Sequence, residues 1–160
     1  MNYSNTTEYI RRKSGAGFTL IELAVVIAII AILYGIILFS VTQYMNKSKD
    51  SNISANLAVL IPAGEVFYNG NNNSYQNFCS SNVVSNVKAQ MPVNPSSNCY
   101  NSSTNPKGVC CYVPSTNYYQ AWAACAREFA DSSKAYCVDS RGIKKEILNS
   151  SCTNAIASCN

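Results

Sequence analysis

Apolar residues follow one another almost without interruption in the first part of this chain and then become periodic. Between residues 18 and 41, the only charged side chain is Glu22. A helix over this segment would rise roughly 36 Å, enough to cross a bilayer core of about 30 Å. The pattern therefore predicts an apolar helix of membrane-spanning length over residues 18–45.

Beyond this segment the pattern becomes one-sided. Apolar and small residues recur at spacings of three and four, namely at Ile53, Leu57, Leu60, Ile61, Gly64, Phe67 and Tyr68. This period is typical of a helix with one buried side. We expect the same helix to continue over residues 46–68, with a kink or an early end at Pro62 because proline removes a helical hydrogen bond.

Residues 69–160 have the mixed composition of a small globular head. The sequence from Asn69 to Ser74 is rich in turn formers, and the valines at 83, 84 and 87 fit either a short helix or a strand. Stretches rich in β-branched and aromatic residues predict strands at 109–113, 118–127, 135–138 and 143–148. The expected fold class is α+β, with a long N-terminal α-helix packed on a small antiparallel sheet.

All eight cysteines lie beyond the apolar segment. An even number confined to a small region predicts a disulfide-rich head in an oxidising compartment outside the cytoplasm. Cys125 and Cys137 lie about equally far from a predicted turn at Asp131, which favours a bridge between neighbouring strands. Adjacent Cys110 and Cys111 point to opposite faces of a strand, so each should bond to a different partner.

The sequence gives little support for an enzyme or for a metal-binding protein. The chain contains no histidine, which excludes Ser-His-Asp and Cys-His catalysis and leaves only an all-thiolate metal site. No pair of cysteines has the Cys-x-x-Cys spacing. Side-chain oxygens of residues 71–74 and Asp139 are candidate calcium ligands, but no EF-hand loop is present. We therefore expect a protein without catalytic residues, cofactor or metal.

The start of the apolar segment allows three interpretations. A basic leader containing Arg11, Arg12 and Lys13 precedes Gly17 and the apolar run. A cleaved secretory signal has a shorter apolar region and a small-residue cleavage site, which residues 40–43 do not provide. A plain membrane anchor fits the length and the charge asymmetry but leaves Glu22 unexplained.

The third interpretation rests on the sequence Gly17-Phe18-Thr19-Leu20-Ile21-Glu22. It resembles the type IV prepilin and pseudopilin signature. The resemblance implies that residues 1–17 are a leader peptide, cut between Gly17 and Phe18 by a prepilin peptidase, and that the new amine of Phe18 is methylated. It also implies that Glu22 pairs with the Phe18 amine of a neighbouring copy during assembly, because an unpaired charge in apolar surroundings is costly.

The same resemblance implies partners and locations. Before assembly the protein would be a single-pass protein of the cytoplasmic membrane with its head outside the cytoplasm. After assembly it would lie in an extracellular pilus or a periplasmic pseudopilus. Its partners would be the bilayer, copies of itself and related pilins, and a membrane assembly platform. A Cys152–Cys159 bridge would resemble the C-terminal disulfide loop of many pilins, leaving Cys79 and Cys99 for the adjacent cysteines of 110–111.

The net charge of the chain is compatible with this interpretation. The formal net charge is +4, and part of it lies in the leader. The small basic pair Lys144 and Lys145 neither requires nor excludes nucleic-acid binding. We predict a structural subunit of a type IV pilus-like filament, favoured by the Asn/Ser-rich, disulfide-rich head. The alternatives are a pseudopilin of a type II secretion or DNA-uptake system and an exported binding domain on an uncleaved single-pass anchor.

Overall fold

The computed structural model describes residues 17–100, 103–105 and 107–160. The chain divides into two compact units, Met1–Phe39 and Ser40–Asn160. Helix α1 (Leu20–Gly70) contributes residues to both. It contains 51 residues, and it begins and ends within two residues of the bounds that the apolar pattern predicts.

In the first unit, α1 is apolar on every side. Its side chains are exposed, from Leu20 at 87% to Val26 at 45%. In the part of the chain that the structure describes, α1 is the one helix long and apolar enough to cross a membrane. This agrees with the membrane-spanning length predicted from the sequence.

In the second unit, α1 is amphipathic. Ile53, Leu57 and Leu60 are buried at spacings of four and three, as the periodicity predicts. Of the two alternatives at Pro62, the early end is wrong, and the predicted continuation of the helix to residue 68 is confirmed, because α1 includes this proline and continues to Gly70. Packing of the residues on both sides of Pro62 compensates for the hydrogen bond that the proline cannot donate.

The ambiguous valine segment is helical. Helix α2 (Asn82–Gln90) buries Val84 and Val87, which lie three residues apart on one side. The side chain of Ser81 caps the helix by accepting a hydrogen bond from the Val84 amide. A short 3₁₀ turn at Phe78–Ser80 precedes α2 and buries Phe78.

Four strands form one antiparallel sheet in the order β1-β2-β3-β4. Their bounds are β1 (Val109–Tyr112), β2 (Ala123–Arg127), β3 (Lys134–Asp139) and β4 (Lys144–Leu148). Each lies within a stretch that the composition predicted or within one residue of it, except that β2 begins later than expected. The predicted strand over 118–122 is wrong, since Thr116–Tyr119 is a 3₁₀ turn. Tyr118 and Tyr119 have positive φ values of 53° and 60°, which strands do not tolerate.

The two faces of the sheet belong to different clusters of buried residues. Alternate residues of β2, Ala124 and Ala126, join the core that includes Trp122 and the buried side of α1. Cys125 lies on the other face, with Cys137 of β3 and with the C-terminal tail. Strand alternation therefore sends one set of side chains to the helices and the other to the tail.

Four disulfides use all eight cysteines, and their connectivity corrects two predictions. The pairs are Cys79–Cys111, Cys99–Cys110, Cys125–Cys152 and Cys137–Cys159. The adjacent cysteines of β1 bond to different partners, as alternation requires. The predicted Cys125–Cys137 and Cys152–Cys159 bridges are wrong.

The physical reason is the path of the tail. Cys125 and Cys137 are opposite each other on β2 and β3, as predicted. The tail crosses their face of the sheet and buries Ile156 there, so each strand cysteine meets a tail cysteine instead. Strand pairing could be predicted from nearby turns, whereas the tail has no periodic pattern that reveals its path.

Two carboxylates, that of Asp50 and that of the buried Asp139, join elements that are distant in sequence. The carboxylate of Asp50 on α1 accepts hydrogen bonds from the amides of Phe129 (2.6 Å) and Ala130 (2.9 Å) in the β2–β3 loop. The buried carboxylate of Asp139 accepts from the Cys159 amide at 3.0 Å and pairs with Arg141 at 2.6 Å. The first contact holds α1 on the sheet and the second holds the tail.

Gly64 lets the backbone of α1 approach Trp122 closely. A Cβ atom at this position would lie 2.7 Å from Nε1 of the fully buried Trp122. We expect Gly64→Ala to destabilise the head by about 1–3 kcal/mol, because the indole has no space into which to move. Thermal unfolding of the full chain in detergent measures this. Gly70→Ala is the matched control, since nothing lies within 4 Å of its Cβ position, and an equal loss in both variants would contradict the prediction.

Asp139 makes the stability of the head depend on pH. Burial alone would raise its pKa, but the hydrogen bonds from Arg141 and the Cys159 amide outweigh burial and lower it. Folding lowers the pKa of this carboxyl below its ordinary value of about 3.9, so the charged form stabilises the head at pH values above about 3.9. This contribution is lost as the pH falls through the lowered pKa of the folded state. The unfolding temperature of Asp139→Asn should therefore lie below that of the native chain at pH 7, and the gap should narrow below about pH 4. A gap that does not change with pH would refute the role of this charge.

Candidate processing and assembly site

The predicted processing residues lie at the beginning of α1. Gly17, Phe18 and Thr19 precede the first helical residue, and Phe18 is 80% exposed. Among the described residues, no atom beyond its chain neighbours lies within 4 Å of the position that a Gly17 Cβ would occupy. The peptide between Gly17 and Phe18 therefore lies outside the helix, next to an exposed side chain. The basic leader residues Arg11, Arg12 and Lys13 lie outside the described residues.

Helix α1 begins with a capping box formed by Thr19 and Glu22. One carboxylate oxygen of Glu22, Oε2, accepts hydrogen bonds from the Thr19 backbone amide at 2.9 Å and from its hydroxyl at 2.8 Å. In return, Oγ1 of Thr19 accepts the Glu22 amide at 3.3 Å. Two amides at the start of the helix that have no partner inside it are satisfied in this way.

This arrangement is a role for Glu22 that sequence reasoning missed. The Thr-x-x-Glu spacing ahead of an apolar run is itself the signal for a capping box, and it is present at residues 19–22. The reciprocal bonds fix where the helix starts and where the carboxylate points. They also place an anion at the helix N-terminus, where the helix dipole favours it.

The capping box uses only one oxygen of the carboxylate. Both bonds from Thr19 go to Oε2, and Oε1 accepts no hydrogen bond from any described residue. A carboxylate offers about four acceptor positions on its two oxygens. The remaining oxygen can therefore accept a cationic amine from outside the chain while the cap stays intact.

The helix that follows presents an apolar surface in every direction. Large side chains such as Ile21, Ile27 and Leu33 are more than half exposed. Contiguous apolar surface of this extent is found on membrane or protein contacts, because leaving it in water is unfavourable. A bilayer and a bundle of similar helices can each cover it.

The cysteines do not form a metal centre. The sulfur atoms of Cys110, Cys125 and Cys152 lie within 4.8 Å of one another. Each of them belongs to a disulfide, and the thiolate is the form that binds metal. The cluster is therefore a packed group of bridges on the tail side of the sheet.

The two groups of candidate calcium ligands form hydrogen bonds within the head. The amide of Asn71 donates to the carbonyl oxygens of Ser74 and Gln76 and closes the loop after α1. Both carboxylate oxygens of Asp139 accept hydrogen bonds, as described for the tail contact. The structure places these residues in two different roles and not in one ligand set.

The comparison with protein families agrees with the geometry of this site. Residues 12–38 match the family model described as the prokaryotic N-terminal methylation motif. The chain carries the type IV prepilin-like signature. No curated protein and no solved structure matches the chain.

The prepilin-like signature covers only the start of the chain, and it points to a broad class of protein. It supports a type IV pilin-like or pseudopilin protein, a class that is structural and not catalytic. It implies processing by a prepilin peptidase and assembly with related pilins. Together with the apolar helix it fits a membrane-anchored precursor that is later exported.

Proposed function

We propose that this protein is a structural subunit of a type IV pilus-like filament. It is cut between Gly17 and Phe18, methylated on the Phe18 amine, and polymerised through the apolar part of α1. One observation carries the proposal, namely that the prepilin-like signature coincides with the capped start of an exposed apolar helix. A plain anchor requires the helix but neither the glycine before it nor the carboxylate within it.

The bilayer holds the subunit before assembly. Residues 18–45 provide enough apolar length to span it, and the basic leader keeps the N-terminus on the cytoplasmic side. The disulfides of residues 69–160 require the opposite, oxidising side. The two requirements are met by one orientation, with the head outside the cytoplasm.

Cleavage creates the charge that Glu22 needs as a partner. Before it, the nitrogen of Phe18 is part of a neutral peptide bond; afterwards it is an amine that is protonated at neutral pH. When apolar helices pack together outside the bilayer, the Phe18 amine of one copy meets the free Oε1 of Glu22 on another. An unpaired charge in such surroundings is costly, so this pairing selects one axial position among many similar ones.

The Asn/Ser-rich, disulfide-bonded head favours a filament exposed outside the cell. Bridges compensate for the limited core of a small domain and persist in oxidising surroundings. A pseudopilin of a type II secretion or DNA-uptake system shares the same helix and the same processing. The two are separated by where the filament is found, on the cell surface or in the periplasm.

Processing is tested by the mass of the mature chain. We expect the protein extracted from membranes that contain a prepilin peptidase to begin at N-methylated Phe18. The control is the same chain expressed without the peptidase, which should retain Met1. Top-down mass spectrometry distinguishes the two, and an intact Met1 in the presence of the peptidase would instead support an exported binding domain on an uncleaved anchor.

Glu22→Gln separates the charge of this residue from its capping role. Glutamine retains an oxygen that can accept the Thr19 amide in a capping box, but it cannot neutralise an amine. We expect Glu22→Gln and Glu22→Ala to be processed normally and both to lose filaments, measured by electron microscopy of sheared cell surfaces. Normal filaments from Glu22→Gln together with none from Glu22→Ala would show that assembly needs the helix cap and not the ion pair.

A further inference from the structure

In the second unit, two polar strips run along α1, one on each side of its buried face. One strip contains Lys47, Asp50, Ser51 and Ser54, and the other contains Ser48, Lys49 and Asn52. At about 100° per residue the mean directions of these two groups differ by roughly 150°. Each strip forms one wall of a surface depression, so the head carries a depression on each of two opposite sides of α1.

The first depression is acidic. It is lined by two lysines, Lys47 and Lys134, and by four carboxylates, and we call these four the acidic flank: Asp50, Glu128, Asp131 and Glu146. Lys134 pairs with Glu146 at 2.8 Å, and Asp50 is engaged by loop amides. Glu128 forms no ion pair with any described residue.

The surroundings of Glu128 leave its charge poorly compensated. Burial raises the pKa of Glu128, the nearby carboxylates of Glu146 and Asp50 raise it further, and the charge of Lys134 offsets only part of this rise. A carboxylate in these conditions gains from a cation brought from outside. The acidic flank is thus a surface with an unmet requirement for positive charge.

The opposite side of the head is basic. Lys49, Lys88 and Lys107 line two adjoining depressions that share Ala89 and Lys107, and we call these lysines the basic flank. No acidic residue of the described chain lines either depression. Lys49 lies over the Phe129 ring, 4.7 Å from its centroid, whereas Lys88 and Lys107 form no ion pair within the described residues. Burial lowers the pKa of Lys88, so this cation also gains from an anionic partner.

We propose that the basic flank of one copy docks against the acidic flank of the next copy in the filament. The proposal rests on the proposed function and names a second contact, between heads, for the same assembly. Because the two flanks differ and lie on opposite sides of one helix, the contact is heterologous. Contacts of this kind repeat in one direction and build open helical filaments when the rotation does not close.

Charge complementarity favours another copy of this chain over a polyanion. A nucleic acid would gain from Lys88 and Lys107, but the acidic flank of the same head would repel it. A second copy uses both flanks at once, and each copy in a filament satisfies the charges of two neighbours. Contacts between partly exposed charges are weak individually and are screened by salt, so their effect depends on repetition along the filament.

The test is a reciprocal exchange of charge in the full chain. Lys107→Glu places an anion in the basic flank, and Glu128→Lys places a cation in the acidic flank. We expect each single variant to lower the amount of sheared filament by about fivefold, and the double variant to recover at least half of the native amount, since the two exchanged charges again attract each other across the contact. The amount is normalised to the membrane content of the disulfide-bonded chain, which separates assembly from folding.

Lys145→Glu is the matched control, because Lys145 is an exposed lysine on β4 outside both flanks. It should leave the amount of filament unchanged. Native amounts from both single variants, or a double variant no better than either single one, would overturn the contact between heads while leaving the proposed function intact. Absence of filaments from the native chain would overturn both. Loss of DNA binding in Lys107→Glu with native filaments would assign the basic flank to a polyanion.

Discussion

The head depends on covering both apolar faces of one small sheet. Helix α1 covers one face with Ile53, Leu57 and Leu60, and Gly64 lets it approach Trp122 closely. In the described part of the chain, no helix covers the other face. This face is covered by a tail without regular repeating structure, and a tail of this kind has too little apolar surface to hold itself in place. Its bridges to β2 and β3 and the Asp139 contact to Cys159 supply what burial alone does not.

The elements that could be predicted from the sequence are those with a repeating pattern. Helix α1, its buried side and most of the sheet follow from spacing and composition, since periodicity reflects which side of an element is buried. The late start of β2 could not be predicted in this way. Tyrosines at 118 and 119 favour a strand by composition, yet they occupy a tight turn whose backbone is held by the bond from the Tyr75 amide to Tyr119. A distant contact outweighed local propensity.

The candidate site shows the same division between local and distant information. Cleavage at the Gly17–Phe18 junction and the assembly role of Glu22 were inferred from adjacent residues, and both stay predictions. The Thr19–Glu22 cap is equally local, since the two residues are three positions apart, and the Thr-x-x-Glu spacing was sufficient to predict it. Disulfide connectivity was beyond local reasoning, since Cys152 and Cys159 find partners only after the tail has folded over the sheet. The two polar strips of α1 likewise become charged surfaces only when α2 and the β2–β3 loop bring further residues to them.

The two disulfides of β1 have a consequence for how these molecules associate. β1 is an edge strand, and an unpaired edge is a template for the strand of another molecule. The adjacent cysteines of β1 lie on opposite faces of the sheet, and each forms a disulfide on its own face, Cys111 with Cys79 and Cys110 with Cys99. The two disulfides hold the strand from both faces. The other edge, β4, carries the charges of Lys144, Lys145 and Glu146, which discourage strand addition. Both edges of the sheet thus disfavour strand addition by another copy, which leaves α1 and the two charged flanks as the surfaces available for ordered association.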